Sequence, residues 1–400
     1  MSSHPTRVRS SFSLAERNAW SWIKSQQPFW LDYTIIFLVF AVVYVSVLYT
    51  RAQFVPDSQY YLGMAFWFSG MSQEDAHAAV RTLGFANGPD VQLMFGWGLV
   101  QPRVVLPALA TPLVLLFGAK GLTITTGIIT IILLVVLYSF LSRRFGRLPA
   151  LSTLVLTMSS VYIMWFSTAM LTESLSALWG ALLLIAAYRY QRTRSVWWVV
   201  AMVVITTLSA FTRQATFIAA GAFVIAWLVS LFFKSERHKW SVPALAVAGT
   251  ALLMQVLQTL IFPTFSQADQ FMKQTGTSSL GEALLATPLF AARLLVRELT
   301  NLAHSDPVVL VLITLSILSM ILFWRRPESH LLLGAILGVA LYNITNGTPT
   351  SFRYAIPGLV FYLASTALLM SEVNRRLSPG LRMQSHGTPS SALPQNSTPR

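Results

Sequence analysis

Apolar runs of membrane-spanning length recur along most of this chain, and clusters of arginine or lysine separate them. About 17–25 apolar residues suffice for a helix to cross the hydrocarbon core, where every backbone N–H and C=O must be satisfied within the protein. A chain patterned in this way is confined to a helical bundle. Composition agrees, since 54% of the 400 residues are hydrophobic and 10% charged. The net charge of +14 does not mark a nucleic-acid partner, because the cations form no single stripe. They stand as Arg143/Arg144/Arg147, Arg189/Arg192/Arg194, Lys234/Arg237/Lys239, Arg325/Arg326 and Arg375/Arg376/Arg382. Such clusters orient spans by remaining on the cytoplasmic side, and they attract anionic lipid. The chain has no cysteine, which removes disulfides, thiolate metal sites and a cysteine nucleophile.

The expected architecture is all-α, a polytopic transmembrane helix bundle of about 10–11 spans. Residues 1–30 form a basic cytoplasmic arm in this scheme, with Trp20, Trp22 and Trp30 at headgroup level, and the first span is an uncleaved anchor. Residues 31–371 form the transmembrane domain, and 378–400, rich in Ser, Pro and Gly, a disordered cytoplasmic tail. Spans are expected near 31–50, 121–141, 148–167, 170–188, 195–212, 214–233, 241–262, 307–324, 331–346 and 354–371. Two outer loops interrupt them. The first, 51–102, is rich in aromatics and is expected to carry ordered helices on the membrane surface. The second, 263–306, is expected to hold a helix near 280–300. Val104–Phe117, with Pro107 and Pro112 inside it, is short for a span, and a full crossing would place every later basic cluster outside. A re-entrant segment keeps those clusters inside.

Glu173 and Arg213 are lone charges at the tips of long apolar hairpins. Leu148–Thr172 and Ser174–Tyr188 carry no charge, nor do Ser195–Thr212 and Gln214–Phe233. An ionised group at membrane depth costs about 2.5–3.5 kcal/mol on insertion scales, so one retained there points to a site. In the expected topology Asp57, Arg103, Glu173, Arg213, His304, Asp306 and Arg353 all reach one non-cytoplasmic face. Together they describe a cleft of mixed charge, open to lipid and suited to a substrate with an anionic head and a greasy tail.

Each of these residues also has a plain structural role open to it. Asp57 is either the N-cap of the run after Pro56 or a general base for an acceptor hydroxyl. Glu173 suits a helix start, and Arg213 and Arg353 are either snorkelling cations or phosphate ligands. His304 and Asp306 either orient a substrate hydroxyl or cap the next span. Ser72 with Glu74 and Asp75 is a capping pattern. Arg293 and Arg297, one helical turn apart, face either lipid phosphate or solvent. With only His77 and His304 facing outward among the six histidines, no histidine-based metal centre is expected.

Five short motifs, taken in order, resemble the GT-C superfamily of integral-membrane glycosyltransferases, as in protein O-mannosyltransferases and lipid A aminoarabinose transferases. They are Pro56-Asp57-Ser58-Gln59-Tyr60-Tyr61-Leu62, Arg143-Arg144-Phe145-Gly146-Arg147, Leu171-Thr172-Glu173-Ser174-Leu175, Phe211-Thr212-Arg213-Gln214 and Phe352-Arg353-Tyr354-Ala355-Ile356-Pro357. The resemblance implies a catalytic domain over 31–371 that inverts the sugar it transfers. The donor would be a polyprenyl- or dolichyl-phosphate sugar and the acceptor a glycan, lipid or protein. Asp57 would be the base and Glu173 would shape the acceptor or ion site. Arg213 and Arg353 would bind the lipid phosphate. From their expected place on the same face, apart from the resemblance, Arg103, Tyr354, His304 and Asp306 are also expected to line the substrate site. The resemblance admits a divalent cation without requiring one. It also implies a multi-pass protein of the plasma, inner or endoplasmic-reticulum membrane. Where the family often has two adjacent acids, Asp57 is followed by Ser58. The rival expectation is a transporter or flippase for lipid-linked anions, which would call for internal repeats and charges near the midplane.

Overall fold

The computed structural model describes residues 30–84, 88–232, 239–347 and 349–377. The expectations for the basic arm before Trp30, for Lys234 and Arg237, and for the tail at 378–400 lie outside the described residues. Within them the chain is helical, without a strand. Helix α1 (Trp30–Thr50) leads into three short helices, α2 (Ser58–Phe68), α3 (Gln73–Arg81) and α4 (Val91–Gly96). There follow α5 (Val105–Phe117), α6 (Lys120–Phe145), α7 (Arg147–Met158) and α8 (Val161–Thr168). The middle of the chain forms α9 (Glu173–Thr193), α10 (Val196–Ala210), α11 (Thr216–Ser230) and α12 (Ser241–Ile261). The last part holds α13 (Gln267–Thr275), α14 (Leu280–Ser305), α15 (Pro307–Leu322), α16 (Pro327–Asn346), a 3-10 turn (Arg353–Gly358) and α17 (Leu359–Leu377).

Five stretches are long and apolar enough to cross a bilayer: α1, α6, α12, α16 and the 3-10 turn continued by α17. Two bent pairs, α7 with α8 at 78° and α13 with α14 at 56°, bring the number to 7 if each is one span. The protein is a multi-pass membrane protein. Of the ten or eleven spans expected, these 5 to 7 meet the length and composition of a crossing, and four further apolar helices are shorter. Helices α10 and α11 have 15 residues each and α15 has 16, short of the roughly 17–25 that a crossing takes. The stretch 148–167 is not one rod, because Ser160 leaves the helix to cap the next, accepting from the Ile163 N–H at 3.0 Å.

The helices share two ends. At one end Tyr138 and Arg147 donate to Asp32, the arginine through Nε at 2.8 Å and Nη2 at 3.0 Å. Beside them Glu328 accepts from Arg144, with Nε at 2.6 Å, and from the Tyr188 hydroxyl at 3.2 Å. The basic clusters expected only to orient the spans are thus partly neutralised by buried acids. The other end gathers the C-terminus of α1, the start of α9, the α10–α11 turn and the C-terminus of α16. Both ends of α5 belong there as well: Val105 N–H donates to Phe211 O at 3.2 Å, and Gly121, at the start of α6, packs on the backbone of Leu113. Helix α5, with 13 residues, is shorter than a full crossing takes. Helix α2 departs from the expectation of surface helices, since every residue from Ser58 to Phe66 is buried.

Helix α11 crosses α16 without side chains between them. A Cβ on Gly334 would stand 2.2 Å from the carbonyl oxygen of Gly221, and one on Gly338 2.7 Å from the Cα of Ile218. In lipid, helices gain little from apolar burial against each other, so such close backbone packing carries the association. This crossing sets where Tyr342, two turns beyond Gly334, arrives. Gly334→Leu should therefore lower thermal stability in lipid by about 1–3 kcal/mol or more. Gly249→Ala, inside α12 with open space around it, should not lower the unfolding temperature in the same scan and should raise it slightly through helix propensity.

Candidate active site

The α1–α2 turn brings Asp57 to the N-cap position of α2, but its side chain makes no cap bond. Ser58 takes over the local work, its hydroxyl accepting from the Val55 N–H at 3.1 Å. That leaves the Asp57 carboxylate free for a distant partner, and Arg353 donates to its Oδ2 from Nη2 at 2.5 Å. The same arginine donates through Nε to Oε1 of Glu173. Glu173, fully buried in the first turn of α9, also accepts from Arg213 Nη1 at 2.6 Å. Arg213 then donates through Nε to the Tyr342 hydroxyl at 3.1 Å. Four of the residues anticipated from sequence thus form one continuous chain, Asp57–Arg353–Glu173–Arg213, across four separate segments.

Aromatic rings enclose it. The Arg213 guanidinium lies 5.0 Å from the Tyr354 ring centre and 5.6 Å from that of Tyr342, and Phe166 flanks Arg353 at 5.9 Å. Arg103 is buried nearby, donating to the Tyr61 hydroxyl at 2.9 Å while its Nε has no partner. Oε2 of Glu173 is likewise unsatisfied. Three guanidiniums against two carboxylates leave one positive charge over. An anion that accepts hydrogen bonds is the group such a set lacks. A divalent cation does not fit: both carboxylates already accept from arginine and the surplus charge is positive. Among the described residues no group of three or more His, Asp or Glu is placed to hold a metal.

Arg353 is held where it is by a strained turn. Ser351 and Phe352 adopt φ of 53° and 69°, the left-handed region that bulky residues avoid. Glu298 on α14 secures it, accepting from the Thr350 N–H at 2.7 Å and the Phe352 N–H at 2.5 Å. Asn301, one turn on, donates to Ser351 Oγ at 2.5 Å. Sequence reasoning missed Glu298, Tyr342 and Tyr61, and nothing local singles them out.

Two anticipated residues stand apart. Asp306 is buried, but its Oδ2 accepts from Ser160 Oγ and the Tyr162 N–H, both at 2.8 Å, and Oδ1 from the Val309 N–H at 3.4 Å. It caps α15 and pins the α7–α8 break. His304 is exposed, and its Nδ1 lies 2.7 Å from the Thr300 carbonyl oxygen of its own helix. Neither joins the ionic chain. The capping pattern at Ser72 holds, with the Asp75 N–H on Ser72 Oγ at 3.0 Å. Arg293 and Arg297 are exposed on α14.

Burial alone would push the Asp57 carboxyl up, but Arg353, with Arg103 and Arg213 behind it, outweighs that and holds it below the usual carboxylate range. A folded value below the unfolded one, about 3.9, stabilises the protein above that pH. The contribution is lost as pH falls through the folded value. Asp57→Asn should therefore lower stability at pH 7. It should also shrink the further loss between about pH 4 and pH 2, read from unfolding curves of both proteins in lipid across that range.

Comparison of the chain with protein-family models, with curated proteins and with solved structures gives no match. The case for a function rests on the chemistry of the site.

Proposed function

We propose that the protein is an inverting membrane glycosyltransferase of the GT-C kind, taking its sugar from a polyprenyl-phosphate donor on the non-cytoplasmic side. One observation carries this reading: a carboxylate able to act as a base stands in a hydrogen-bonded chain with Arg353, Glu173 and Arg213, and a third guanidinium, that of Arg103, is buried nearby with its Nε unpartnered. The donor is an anion on a lipid, and it would reach this end of the bundle from the bilayer.

Asp57 is tied to Arg353 in the structure and so is a weak base. A donor phosphate competes for the same guanidinium. Once Arg353 turns to the phosphate, Asp57 loses its counter-charge and gains basicity, beside the place where the acceptor must stand. The acceptor oxygen then attacks the anomeric carbon while its proton passes to Asp57. The bond from that carbon to the phosphate oxygen breaks, and its electron pair leaves with the lipid phosphate. Arg353, Arg213 and Arg103 are the groups that meet the developing charge. Glu173 stays between two arginines throughout and acts by positioning them.

Transport of a lipid-linked anion is the second reading, and the 78° break between α7 and α8 favours it, because discontinuous spans are a device of transporters. Asp306 and Ser160 fill that break, however, and leave no backbone there for a substrate. The test is sugar transfer by the purified protein in lipid from a panel of polyprenyl-phosphate sugars. The wild type should transfer, and Asp57→Asn should lose about 10²–10⁴-fold in rate while still binding polyprenyl phosphate. Full activity in Asp57→Asn would remove the base, and lipid movement without transfer would favour the transporter.

A further inference from the structure

We propose that a pocket beside the ionic chain holds a neutral, polyhydroxylated ligand. Its occupant is the sugar ring of the donor, an identification that rests on the glycosyltransferase reading above. The pocket, about 370 Å³, lies between the α4–α5 loop, the α10–α11 turn, the end of α12 and the segment leading to α13. That is within the range of small-molecule sites, roughly 300–1,000 Å³. Four glutamines line it, Gln214, Gln255, Gln258 and Gln267, together with Thr259 and Ser266. No charged residue does. An anion would find no counter-charge there. Amides and hydroxyls, which both donate and accept, match a ligand whose hydroxyls do the same. Phe262 and Phe265 add apolar surface for the C–H face of a ring.

The polar strip is placed against the grain of its helix. On α12 Leu252, Leu253, Val256 and Leu260 are exposed, as a lipid-facing surface should be. Gln258 lies on the opposite, buried face, and half-buried Gln255 and exposed Thr259 flank it at the three- and four-residue spacing of one polar strip. Gln258 is only 3% exposed, and a buried amide is unfavourable unless bonded. Its Nε2 donates to the Ala210 carbonyl at 3.0 Å, which leaves Oε1 to accept from a ligand. The wall is built as well. Thr264 Oγ accepts from the Gly98 N–H at 2.7 Å and donates to Gly96 O at 3.0 Å. The loops meet so closely that a Cβ on Gly98 would lie 2.8 Å from the Phe262 carbonyl oxygen. Gln214 directly follows Arg213 in the chain, so the α10–α11 turn contributes one residue to the uncharged pocket and the next to the ionic chain. A phosphate on the arginines with its sugar among the glutamines divides one donor between two chemistries.

The absence of cysteine supplies the probe. Thr259→Cys and Gln255→Cys each place a single thiol at the pocket, and neither native side chain bridges to another helix. Maleimide labelling of each variant in lipid nanodiscs would be timed with undecaprenyl phosphate, with its mannose, glucose and N-acetylglucosamine esters, and with free methyl mannoside. Native mass spectrometry would score lipid binding. At ten times Kd at least one sugar-bearing lipid should slow labelling about tenfold, and undecaprenyl phosphate should leave it unchanged. Equal protection by undecaprenyl phosphate, or binding of the sugar-bearing lipids without protection at either thiol, would overturn the pocket assignment and leave the glycosyltransferase reading standing. Protection by methyl mannoside with no lipid bound would keep a sugar pocket and overturn its donor occupant together with that reading. Neither binding nor protection would overturn both.

Discussion

A carboxylate buried between two arginines organises this molecule. Glu173 has no solvent exposure, and the guanidiniums of Arg213 and Arg353 both donate to its Oε1. Removing one partner from such a group typically costs 3–5 kcal/mol, because the remaining charge is left without compensation. That constraint fixes three segments at once: the start of α9, the α10–α11 turn and the 3-10 turn before α17. The rest of the site follows from it. Arg353 reaches Glu173 only from the strained turn at Ser351 and Phe352, and Glu298 is the acid that holds that turn. From there Arg353 has a second face for Asp57.

The bundle carries charge at both ends and handles it differently. At the end that holds Arg144 and Arg147, each arginine is matched by one buried acid with a tyrosine in support, and the pairs join α1 to α7 and α6 to α16. At the other end the arginines share one acid in a chain, Arg353 and Arg213 both donating to Glu173, and polar atoms of Arg103 and Glu173 remain without partners. Balanced pairs hold helices together. A chain with an unsatisfied donor and an unsatisfied acceptor is where the proposed function looks for its substrate.

The helical class and the convergence of the site were legible in the sequence for the same reason: a charge in an apolar run is conspicuous. Glu173 and Arg213 stood out on that ground, and Asp57, Arg103 and Arg353 followed from the membrane side assigned to them. Helix bounds were less legible, because hydropathy registers apolar residues and not where a helix stops. Ser159 and Ser160 break one apolar run, and α10 and α11 have 15 residues each. Local motifs left alternatives that only the fold could decide. Asp306 was open to two roles, and it caps α15. Asp57 sits where a cap belongs and caps nothing, since its partner lies 296 residues away. Glu298 and Tyr342 were illegible because their roles depend wholly on contacts far along the chain.

In the proposed mechanism Arg353 exchanges Asp57 for the donor phosphate, so that binding the donor releases the base. An experimental structure of the protein in lipid with undecaprenyl phosphate bound would test this most directly. The account predicts the phosphate on Arg353, with Asp57 no longer within hydrogen-bonding reach of it. A bound phosphate with the Asp57–Arg353 pair intact, or one seated away from Arg353 altogether, would contradict it.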